Sequence, residues 1–405
     1  MQSVVVIGGG AAGLMAAYTA ASRGRKVLLL EKNEKLGKKI YITGKGRCNV
    51  TNDCPPEDFL ANVVNGSRFL TRAAYAFPAA SAMEFFEEHG LALKVERGNR
   101  VFPVSDHASD VTKALECACR DAGVEIRLNE AVKRIGQRDG AVCAVYSEKS
   151  VYECESAVIA TGGCSYPSTG STGDGYQFAE QLGHACEART PSLVGIELRE
   201  DVSAAQGVSL KNVTLTAKRG QKTIFSEMGE LLFTHYGMSG PLVLTLSALI
   251  NRLPLSEISV WLDLKPALDE KKLDERLLRD FAERRNETMK NVMRGLLPAG
   301  VVQIVLRAAG ISPEKQANAV TREERRSLLS ALKKLPFSPK ALRGFHEAVV
   351  TAGGVALCGI DPATMQSRLV RGLYFCGEVL DCDAFTGGFN LQIAWSTGYL
   401  AGKNA

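Results

Sequence analysis

Apolar runs and a helical segment alternate at the start of the chain. Residues 4–7 form an unbroken apolar run, followed by glycines and then by small residues that extend to Gly24. A second apolar run covers residues 27–30 and is followed by Glu31. Short apolar runs are typical of buried strands, and a small-residue segment closed by glycine is typical of a helix packed on a sheet. The pattern therefore predicts a strand–helix–strand unit in a parallel α/β sheet.

The pattern changes twice farther along the chain, and these changes suggest domain boundaries. Short β-like runs dominate up to residue 263, and from residue 266 to 339 the apolar positions follow a helical period. From residue 349 the chain becomes glycine-rich again. We predict a discontinuous α/β domain, a β-rich substrate or cap domain and a small helical insertion. Their expected bounds are 1–190 plus 346–405, 191–264 and 265–345, respectively.

Three glycines follow the first predicted strand with the spacing G-x-G-x-x-G, at Gly8, Gly10 and Gly13. Gly8 permits a tight turn, Gly10 removes a side chain where a pyrophosphate approaches, and Gly13 lets the helix lie close to the sheet. The first helical turn, with Ala11 and Ala12, presents N–H groups and the positive end of the helix dipole to phosphates. Because strand, glycines and helix follow in the required order, we predict a dinucleotide site.

The carboxylate at the end of the second strand narrows the choice of ligand. Glu31 can accept hydrogen bonds from both ribose hydroxyls, and its charge would repel a 2′-phosphate. The first 31 residues therefore predict FAD or NAD rather than NADP. They leave the choice between FAD and NAD open.

The lysine- and glycine-rich segment of residues 32–52 follows neither period, and we expect it to wrap around the cofactor. Arg47 in this segment can donate to a phosphate or a carboxylate. Cys48 and Cys54 have five residues between them, whereas the flavin disulfide reductases have four between their redox cysteines. We therefore favour packing of Cys48 near the cofactor over a redox-active cysteine pair.

Two later segments are expected to return to the same ligand. The sequence A-T-G-G at residues 160–163 follows an apolar strand, as in FAD domains of the glutathione reductase type. Gly377 and Glu378 follow another strand, where such domains contact the ribityl chain and pyrophosphate. Residues 387–390 then lead into a closing helix whose N-terminus would stabilise negative charge on a reduced flavin. These segments select FAD, and the predicted fold is a discontinuous Rossmann-like FAD-binding domain with a β-rich and a helical insertion.

Composition excludes several other classes of protein. The 405 residues include eleven cysteines without a C-x-x-C pair, so we predict no metal site and a reducing, cytoplasmic location. The longest apolar runs, such as residues 242–250, are too short to span a bilayer. The N-terminus lacks the basic region and cleavage site of a signal peptide. We expect no membrane contact.

The positive charge is concentrated in one part of the chain. Residues 265–345 hold 18 Lys/Arg against 10 Asp/Glu, a net charge of +8, while the whole chain carries +5. Such a segment can bind nucleic acid. It lacks interleaved aromatic residues and any known RNA-binding motif, so we favour a solvated helical face.

Motifs along the whole chain resemble those of the BaiN-like flavoproteins, also described as aminoacetone oxidase-like FAD enzymes. The matching segments are GGGAAGLMAA (8–17), KIYITGKGRCNVTN (39–52), ATGG (160–163), YPSTGSTGDGY (166–176), LLFTHYGMSGP (231–241), TAGGV (351–355) and GLYFCGEVLDCDAFTGGFNLQIAWSTG (372–398). Lys45 departs from the family, which more often has glycine there. The resemblance implies either NAD(P)H-dependent reduction of conjugated C=C bonds in oxo-bile acids, or oxidation of small amines by O₂.

Residues predicted to contact FAD come from every one of these nucleotide-binding segments. They are Gly8, Gly10, Ala11, Ala12, Gly13, Glu31, Lys32, Lys39, Gly46, Arg47, Cys48, Asn49, Val132, Ala160, Thr161, Gly162, Gly377, Glu378, Asp381, Gly388, Phe389, Asn390 and Leu391.

The expected reaction is hydride transfer from the flavin to the β-carbon of an enone, followed by protonation of the α-carbon. Candidate acids are His235 and Tyr236, which lie in a glycine-flanked loop, with Tyr166 and Ser168 as weaker candidates. A structural role is an open alternative for each of them. There is no second G-x-G-x-x-G, so NADH or NADPH would bind only transiently as electron donor.

Three other functions stay open at this point. The first is a flavin amine oxidase that passes electrons to O₂. The second is an FAD-dependent RNA-binding or RNA-modifying protein, suggested by the basic segment. The third is a non-catalytic FAD-binding scaffold. We expect a small-molecule substrate and no nucleic acid, and the sequence does not determine the oligomeric state.

Overall fold

The computed structural model describes the backbone of residues 2–405 and the side chains from Val4 onward. The chain forms two compact units. The split unit consists of Met1–Pro191 together with Ala348–Ala405, and the inserted unit consists of Ser192–Glu347. The three-part division expected from the sequence stays a prediction.

The strands and helices are numbered in chain order. The strands are β1 (Gln2–Ile7), β2 (Val27–Leu30), β3 (Thr51–Asn52), β4 (Val63–Asn65), β5 (Leu93–Glu96), β6 (Arg100–Pro103), β7 (Glu125–Arg127), β8 (Val132–Arg138), β9 (Ala141–Ser147), β10 (Val151–Ile159), β11 (Thr190–Ser192), β12 (Ile196–Leu198), β13 (Ser209–Arg219), β14 (Lys222–Phe233), β15 (Gly237–Ser239), β16 (Ile258–Asp263), β17 (Leu335–Phe337), β18 (Pro339–Leu342), β19 (Val350–Ala352), β20 (Leu373–Phe375) and β21 (Asp383–Ala384). The helices are α1 (Ala11–Ser22), α2 (Pro56–Ala61), α3 (Ser67–Ala76), α4 (Ala79–Glu88), α5 (Ala108–Asp121), α6 (Asp174–Gln181), α7 (Pro241–Ile250), α8 (Glu270–Glu283), α9 (Met289–Met293), α10 (Ala299–Ala308), α11 (Arg322–Lys333) and α12 (Phe389–Asn404).

The main sheet of the split unit has the strand order β7-β2-β1-β10-β9-β8. β20 pairs with the C-terminal residues 157–159 of β10. β1 pairs in parallel with both β2 and β10, and β20 is also parallel to β10. β8 and β9 add an antiparallel edge. The central strands are fully buried because helices cover them, and this explains their continuous apolar sequence. The predicted α/β, Rossmann-type fold is confirmed.

The first and last helices of the chain pack tightly against each other within the split unit. The backbone of Gly398 in α12 lies so close to α1 that a Cβ there would be 2.5 Å from the carbonyl oxygen of Ala12. A Cβ at Gly402 would overlap the carbonyl oxygen of Ala16. Small residues on both helices therefore permit the contact, and the C-terminal residues complete the layer that the N-terminal residues begin.

A buried polar network ties the end of the predicted cofactor-wrapping segment to α12. The Thr51 hydroxyl donates to Gln392 Oε1 at 2.6 Å, and Gln392 Nε2 donates to the carbonyl of Phe77 at 2.8 Å. The indole N–H of Trp395 donates to the carbonyl of Val50 at 2.9 Å. Because buried polar groups are stable only when paired, this network fixes the return of the segment into the core.

The inserted unit is built on an antiparallel sheet with the strand order β17-β16-β13-β14-β15-β12-β18. Its strands and helices α7–α11 share a single hydrophobic core. A capping box opens α11, because the Thr321 side chain accepts from the backbone of Glu324 and the Glu324 side chain accepts in return from that of Thr321. Among residues 2–405, no helix is long and apolar enough to cross a membrane.

Candidate functional site

The glycine turn after β1 is shaped by two close backbone approaches and one opening. Gly8 has φ +106°, and a Cβ there would lie 2.6 Å from the carbonyl oxygen of Ala160. A Cβ at Gly13 would overlap the carbonyl oxygen of Gly8. A Cβ at Gly10, by contrast, would meet no protein atom within 4 Å. The fold therefore requires glycine at positions 8 and 13. At Gly10 no protein atom fills the space, which is open to a ligand.

The N-terminus of α1 opens onto this space. Gly10 is the N-cap residue, no side chain caps the helix, and no acidic side chain lies in its first turn. The orphan N–H groups of a helix N-terminus and its dipole form an anion site when no capping side chain occupies them. The turn therefore has the donor set that a pyrophosphate requires.

Glu31 is buried at the tip of β2 and braces the glycine turn. Its Oε2 accepts from the backbone N–H of Gly9 at 2.7 Å, and its Oε1 accepts from the backbone and side-chain nitrogens of Asn33 at 2.8 and 2.7 Å. A carboxylate offers about four acceptor positions, so one is left for a ribose hydroxyl. The adjacent Lys32 forms an ion pair with Asp174 at 2.6 Å.

Lys39 and Glu378 form a charged cluster that joins four distant segments of the chain. Lys39 Nζ lies 3.0 and 2.7 Å from the two carboxylate oxygens of Glu378 and also contacts the Ser165 hydroxyl. Glu378 Oε1 accepts from the Ser165 hydroxyl at 2.9 Å and from the Thr351 backbone N–H at 2.8 Å. The Thr351 hydroxyl in turn accepts from the backbone of Cys164 and Ser165. Ser165 and Thr351 are not among the predicted site residues, although Thr351 begins the TAGGV segment and Ser165 directly precedes YPSTGSTGDGY.

Two buried polar atoms in the predicted cofactor-binding segments lack a protein partner. Thr161 Oγ1 and Asn49 Oδ1 make no hydrogen bond to any side chain or backbone atom in the described part of the chain. Buried polar groups without partners are rare in folded proteins and often mark the place of a ligand or water. Both residues belong to the set predicted to contact FAD.

Arg47 is engaged by other residues of the split unit. Its Nε donates to Asp106 at 2.7 Å, it forms an ion pair with Glu96, and its guanidinium lies 4.2 Å from the centre of the Phe102 ring. Lys94 and Arg47 together hold the pKa of Asp106 below its usual range. A direct contact of Arg47 with FAD stays a prediction.

Cys48 is fully buried with φ +59°, and burial raises its pKa to about 12. Burial likewise raises the pKa of Cys54 to about 11. Because the thiolate is the reactive form of cysteine, these raised pKa values disfavour redox chemistry at either residue. They support the interpretation of Cys48 as a packing residue.

The remaining predicted contacts lie at backbone turns of the split unit. Gly377 has φ +76° and approaches Ala12, and Gly388 caps α12 with φ +101°. Asn390 uses its side chain to hold the turn at Ala384, accepting at 3.0 Å and donating at 2.8 Å. Other members of the predicted set in these turns and strand ends are Gly46, Val132, Ala160, Gly162, Asp381, Phe389 and Leu391.

The catalytic candidates Tyr236 and His235 lie together in the inserted unit, between β14 and β15. Their rings are 5.0 Å apart in an edge-on arrangement, and His235 is exposed while Tyr236 is half-buried. Burial and the neighbouring carboxylate of Glu347 raise the pKa of Tyr236. Its phenol is therefore protonated at neutral pH, as a proton donor must be.

Arg343, which is not among the predicted site residues, covers the Tyr236 ring. The Arg343 guanidinium lies 4.5 Å from the ring centre. Arg343 is more than a hundred residues from Tyr236 in the sequence and lies in no recognised motif. The contact is therefore visible only in the folded structure. Tyr166, the third catalytic candidate, belongs to the split unit and has φ +50° just before Pro167.

Comparison with known proteins identifies the family. The family model described as "HI0933-like protein Rossmann domain" matches residues 2–404. The chain belongs to the HI0933-like Rossmann family. The recognition of a BaiN-like flavoprotein and the assignment to the flavin-dependent oxidoreductases are thereby confirmed.

Three relatives with named activities align with the chain over nearly their whole length. The chain is 31% identical to the 3-dehydro-bile acid delta(4,6)-reductase of Clostridium scindens, covering 100% of this chain and 99% of that protein. It is 33% identical to the ribosomal RNA dihydrouridine synthase of Haemophilus influenzae, covering 98% and 96%. Its identity to the Escherichia coli protein of the same name is 32%, covering 99% and 97%.

Solved structures with the same fold are more distant in sequence. A flavocytochrome c3 fumarate reductase superimposes with a TM-score of 0.53 at 20% identity, covering 100% of this chain and 78% of that one. The 3-ketosteroid-Δ4-(5α)-dehydrogenase of Rhodococcus jostii superimposes with a TM-score of 0.53 at 16% identity, covering 100% and 95%. At these identities the likeness establishes the fold of the HI0933-like chain.

Proposed function

We propose that this protein is an FAD-dependent reductase of a C=C bond conjugated to a carbonyl group, with NADH or NADPH as electron donor. The observation that carries the proposal is the cradle in the split unit. It combines the open space at Gly10, the uncapped N-terminus of α1 and the unpaired atoms Thr161 Oγ1 and Asn49 Oδ1.

The residues of the cradle fit FAD. The α1 N-terminus would hold the pyrophosphate, and Glu31 would accept a ribose hydroxyl. Thr161 and Asn49 would pair their unused oxygens with donors of the cofactor, and the uncapped N-terminus of α12 at Gly388 would face the pyrimidine end of the flavin. When bound, FAD would accept two electrons from the reduced nicotinamide and deliver them as a hydride to the substrate.

The relatives point to the type of bond that is reduced. One is named as a reductase of the 4,6 double bonds of a 3-dehydro-bile acid, and two are named as synthases of dihydrouridine. Both names describe addition of two hydrogens to a C=C bond whose electrons are drawn toward a carbonyl. We infer that this chain acts on a bond of the same type.

In this reaction the β-carbon receives the hydride and the α-carbon receives a proton. Tyr236 is our candidate for the proton donor, because its phenol is protonated at neutral pH and half-buried. The resulting tyrosinate would recover its proton from solvent. For each C=C bond reduced, one NAD(P)H is oxidised and one proton is taken up.

Two substrate classes follow from the relatives. A steroid-like enone is the first, and it agrees with the small-molecule substrate expected from the sequence. Uridine in ribosomal RNA is the second candidate. It is favoured by cations of the basic segment such as Lys271, Arg279 and Arg326, which are exposed and lack an ion-pair partner among residues 4–405.

Anaerobic stopped-flow absorbance tests the proposal. The FAD-loaded protein is first mixed with NADH or NADPH, and the reduced protein is then mixed with a 3-oxo-Δ4 steroid or with unmodified ribosomal RNA. We expect bleaching of the flavin by one nicotinamide and its recovery, without O₂, by one of the two acceptors. Flavin that stays oxidised with both nicotinamides but is reduced by aminoacetone would replace the reductase with an amine oxidase.

A further inference from the structure

The hydroxyl of Tyr236 sits in a space that a single missing side chain provides. A Cβ at Gly195 would lie 2.5 Å from the Tyr236 hydroxyl oxygen and about as close to the ring edge, at 3.0 Å. Gly195 has an ordinary backbone conformation, since it is not among the positive-φ glycines. Its lack of a side chain is therefore explained by the tyrosine, not by the backbone. Glycine at position 195 is therefore needed for the Tyr236 phenol to occupy its observed position.

Arg343 lies over the same ring and is itself held from two sides. Its Nη1 donates to Glu197 at 2.8 Å, and its Nε donates to Glu347 at 3.0 Å. Its Nη2 also donates to the same Glu347 oxygen, Oε1. Hydrogen bonds between a guanidinium and a carboxylate are strong because both groups are charged. The two carboxylates therefore fix the plane of the guanidinium against Tyr236, at 4.5 Å from the ring centre.

The fixed charges around the phenol sum to −1. Arg343 contributes one positive charge, and Glu197 and Glu347 contribute two negative charges within contact of it. His235 is the adjacent titratable group on the same loop. An aromatic ring under a cation is attracted to it, and a tyrosinate formed there would be stabilised by it. The arrangement thus orients the phenol, while Arg343 partly opposes the rise in the Tyr236 pKa that burial and Glu347 cause.

The cluster lies where the chain enters and leaves the inserted unit. Gly195 and Glu197 follow closely after the start of the unit at Ser192, and Arg343 and Glu347 are at its end. The backbone N–H of Arg343 donates to the carbonyl of Gly195 at 3.0 Å, beside the pairing of β12 with β18. Both connecting segments therefore meet in this cluster, so its geometry is fixed by the backbone and not by one flexible loop.

We propose that Arg343, locked by Glu197 and Glu347, is a positioning residue that holds Tyr236 in the orientation needed to protonate the substrate. The inference rests on the proposed function, because it assigns Tyr236 the role of acid in that reaction. Arg343 acts through Tyr236 and is not itself a proton donor, since a guanidinium stays protonated at all physiological pH values.

The test compares Arg343→Met, Arg343→Lys and Tyr236→Phe with the native holoenzyme. Arg325→Met is a matched control, because Arg325 pairs with Asp274 at 2.8 Å in the same unit and has a similar side-chain exposure, 20% against 30% for Arg343. We expect all variants to be reduced by NAD(P)H at the native rate. Reoxidation at saturating enone should fall about 100-fold in Tyr236→Phe and Arg343→Met, with partial rescue in Arg343→Lys.

A spectroscopic measurement separates positioning from a loss of activity with another cause. The holoenzyme is labelled with 3-fluorotyrosine, and the ¹⁹F resonance that disappears in Tyr236→Phe is assigned to Tyr236. We expect this resonance to shift or broaden in Arg343→Met and to stay unchanged in Arg325→Met. An unchanged Tyr236 resonance in Arg343→Met overturns the positioning role.

The two proposals fail in different ways. If neither nicotinamide reduces the flavin, or no enone or RNA reoxidises it, the proposed reaction is wrong, whatever the NMR result. If the reaction occurs but Tyr236→Phe reoxidises at the native rate, Tyr236 is not the acid and Arg343 has no catalytic consequence. If Arg343→Met changes only the enone concentration for half-maximal rate, Arg343 binds substrate and does not position Tyr236.

Discussion

The ammonium group of Lys39 contacts both carboxylate oxygens of Glu378, which is 339 residues away in sequence. The side chains are only 22% and 20% exposed. The pair joins the predicted cofactor-wrapping segment to the turn after β20, and Ser165 and Thr351 add two further hydrogen bonds to Glu378. Four segments that are widely separated in the sequence are therefore held together by one carboxylate.

Removal of Lys39 should destabilise the split unit, because it leaves a partly buried carboxylate with one charge uncompensated. We expect Lys39→Met to lower the free energy of unfolding by about 1–3 kcal/mol, measured by urea denaturation of the flavin-free protein. Glu378→Gln combined with Lys39→Met should lose less than the sum of the single changes. Additive losses in this double-mutant cycle would show that the pair contributes nothing beyond its separate parts.

Much of the nucleotide unit could be predicted because its signals are local. The strand, the three glycines, the small-residue helix and Glu31 lie within 31 residues, and β1, α1 and β2 are found where the pattern placed them. Periodicity and turn chemistry decide such elements, since each depends only on its neighbours in the chain.

The contacts that organise the candidate sites could not be predicted, because they join distant segments. Nothing near Arg343 in the sequence indicates that it covers Tyr236, and the contact depends on the pairing of β12 with β18. The engagement of Arg47 by Asp106 and Glu96 likewise depends on β5, β6 and the turn after them. An arginine beside glycines suits a phosphate or a carboxylate equally well, and the sequence alone does not distinguish them.

Gly10 and Gly13 should separate ligand binding from folding. An alanine at Gly10 meets no protein atom and has a compatible backbone, φ −86° and ψ −170°. We expect Gly10→Ala to change the unfolding free energy of the flavin-free protein by less than about 0.5 kcal/mol. It should nevertheless weaken FAD binding at least about tenfold in a fluorescence titration, because the methyl group occupies the space assigned to the pyrophosphate.

Gly13→Ala is the contrasting variant. Its Cβ would overlap the carbonyl oxygen of Gly8, and backbone atoms cannot move aside as a flexible side chain can. We expect a loss of about 2 kcal/mol or more in the flavin-free protein. Equal effects of the two alanines on stability would contradict the division of roles between the glycines.

His184 should make stability depend on pH. It is buried, and its Nε2 lies 2.8 Å from the Ser367 hydroxyl, whose oxygen already accepts from the backbone of Leu369 and Val370. The hydroxyl hydrogen therefore goes to Nε2, which must be unprotonated. Burial lowers the pKa of His184 below its usual value near 6.5.

The sign of this effect follows from proton binding. Between the lowered folded pKa and the unfolded value of about 6.5, the unfolded state binds more protons, so stability rises with pH. The contribution is complete above about pH 6.5 and is lost as the pH falls. We expect the difference in unfolding free energy between the native protein and His184→Gln to shrink below pH 6.5, by at most about 1.4 kcal/mol per pH unit. A difference that is constant from pH 5 to 8 would show that His184 titrates normally.

Lys45 has a strained backbone conformation. It has φ +59° between two glycines that also have positive φ, Gly44 at +56° and Gly46 at +85°, and its side chain is exposed. A left-handed backbone costs a residue with a Cβ about 1–2 kcal/mol, whereas glycine adopts it freely but loses about 0.5–1 kcal/mol more chain entropy on folding. The first quantity exceeds the second. We therefore expect Lys45→Gly to raise the unfolding free energy by about 0.5–1 kcal/mol, seen as a higher melting temperature. Lys45→Ala keeps the Cβ and serves as the control, with no gain expected. If alanine stabilises as much as glycine, removal of the lysine charge, and not relief of backbone strain, is the cause.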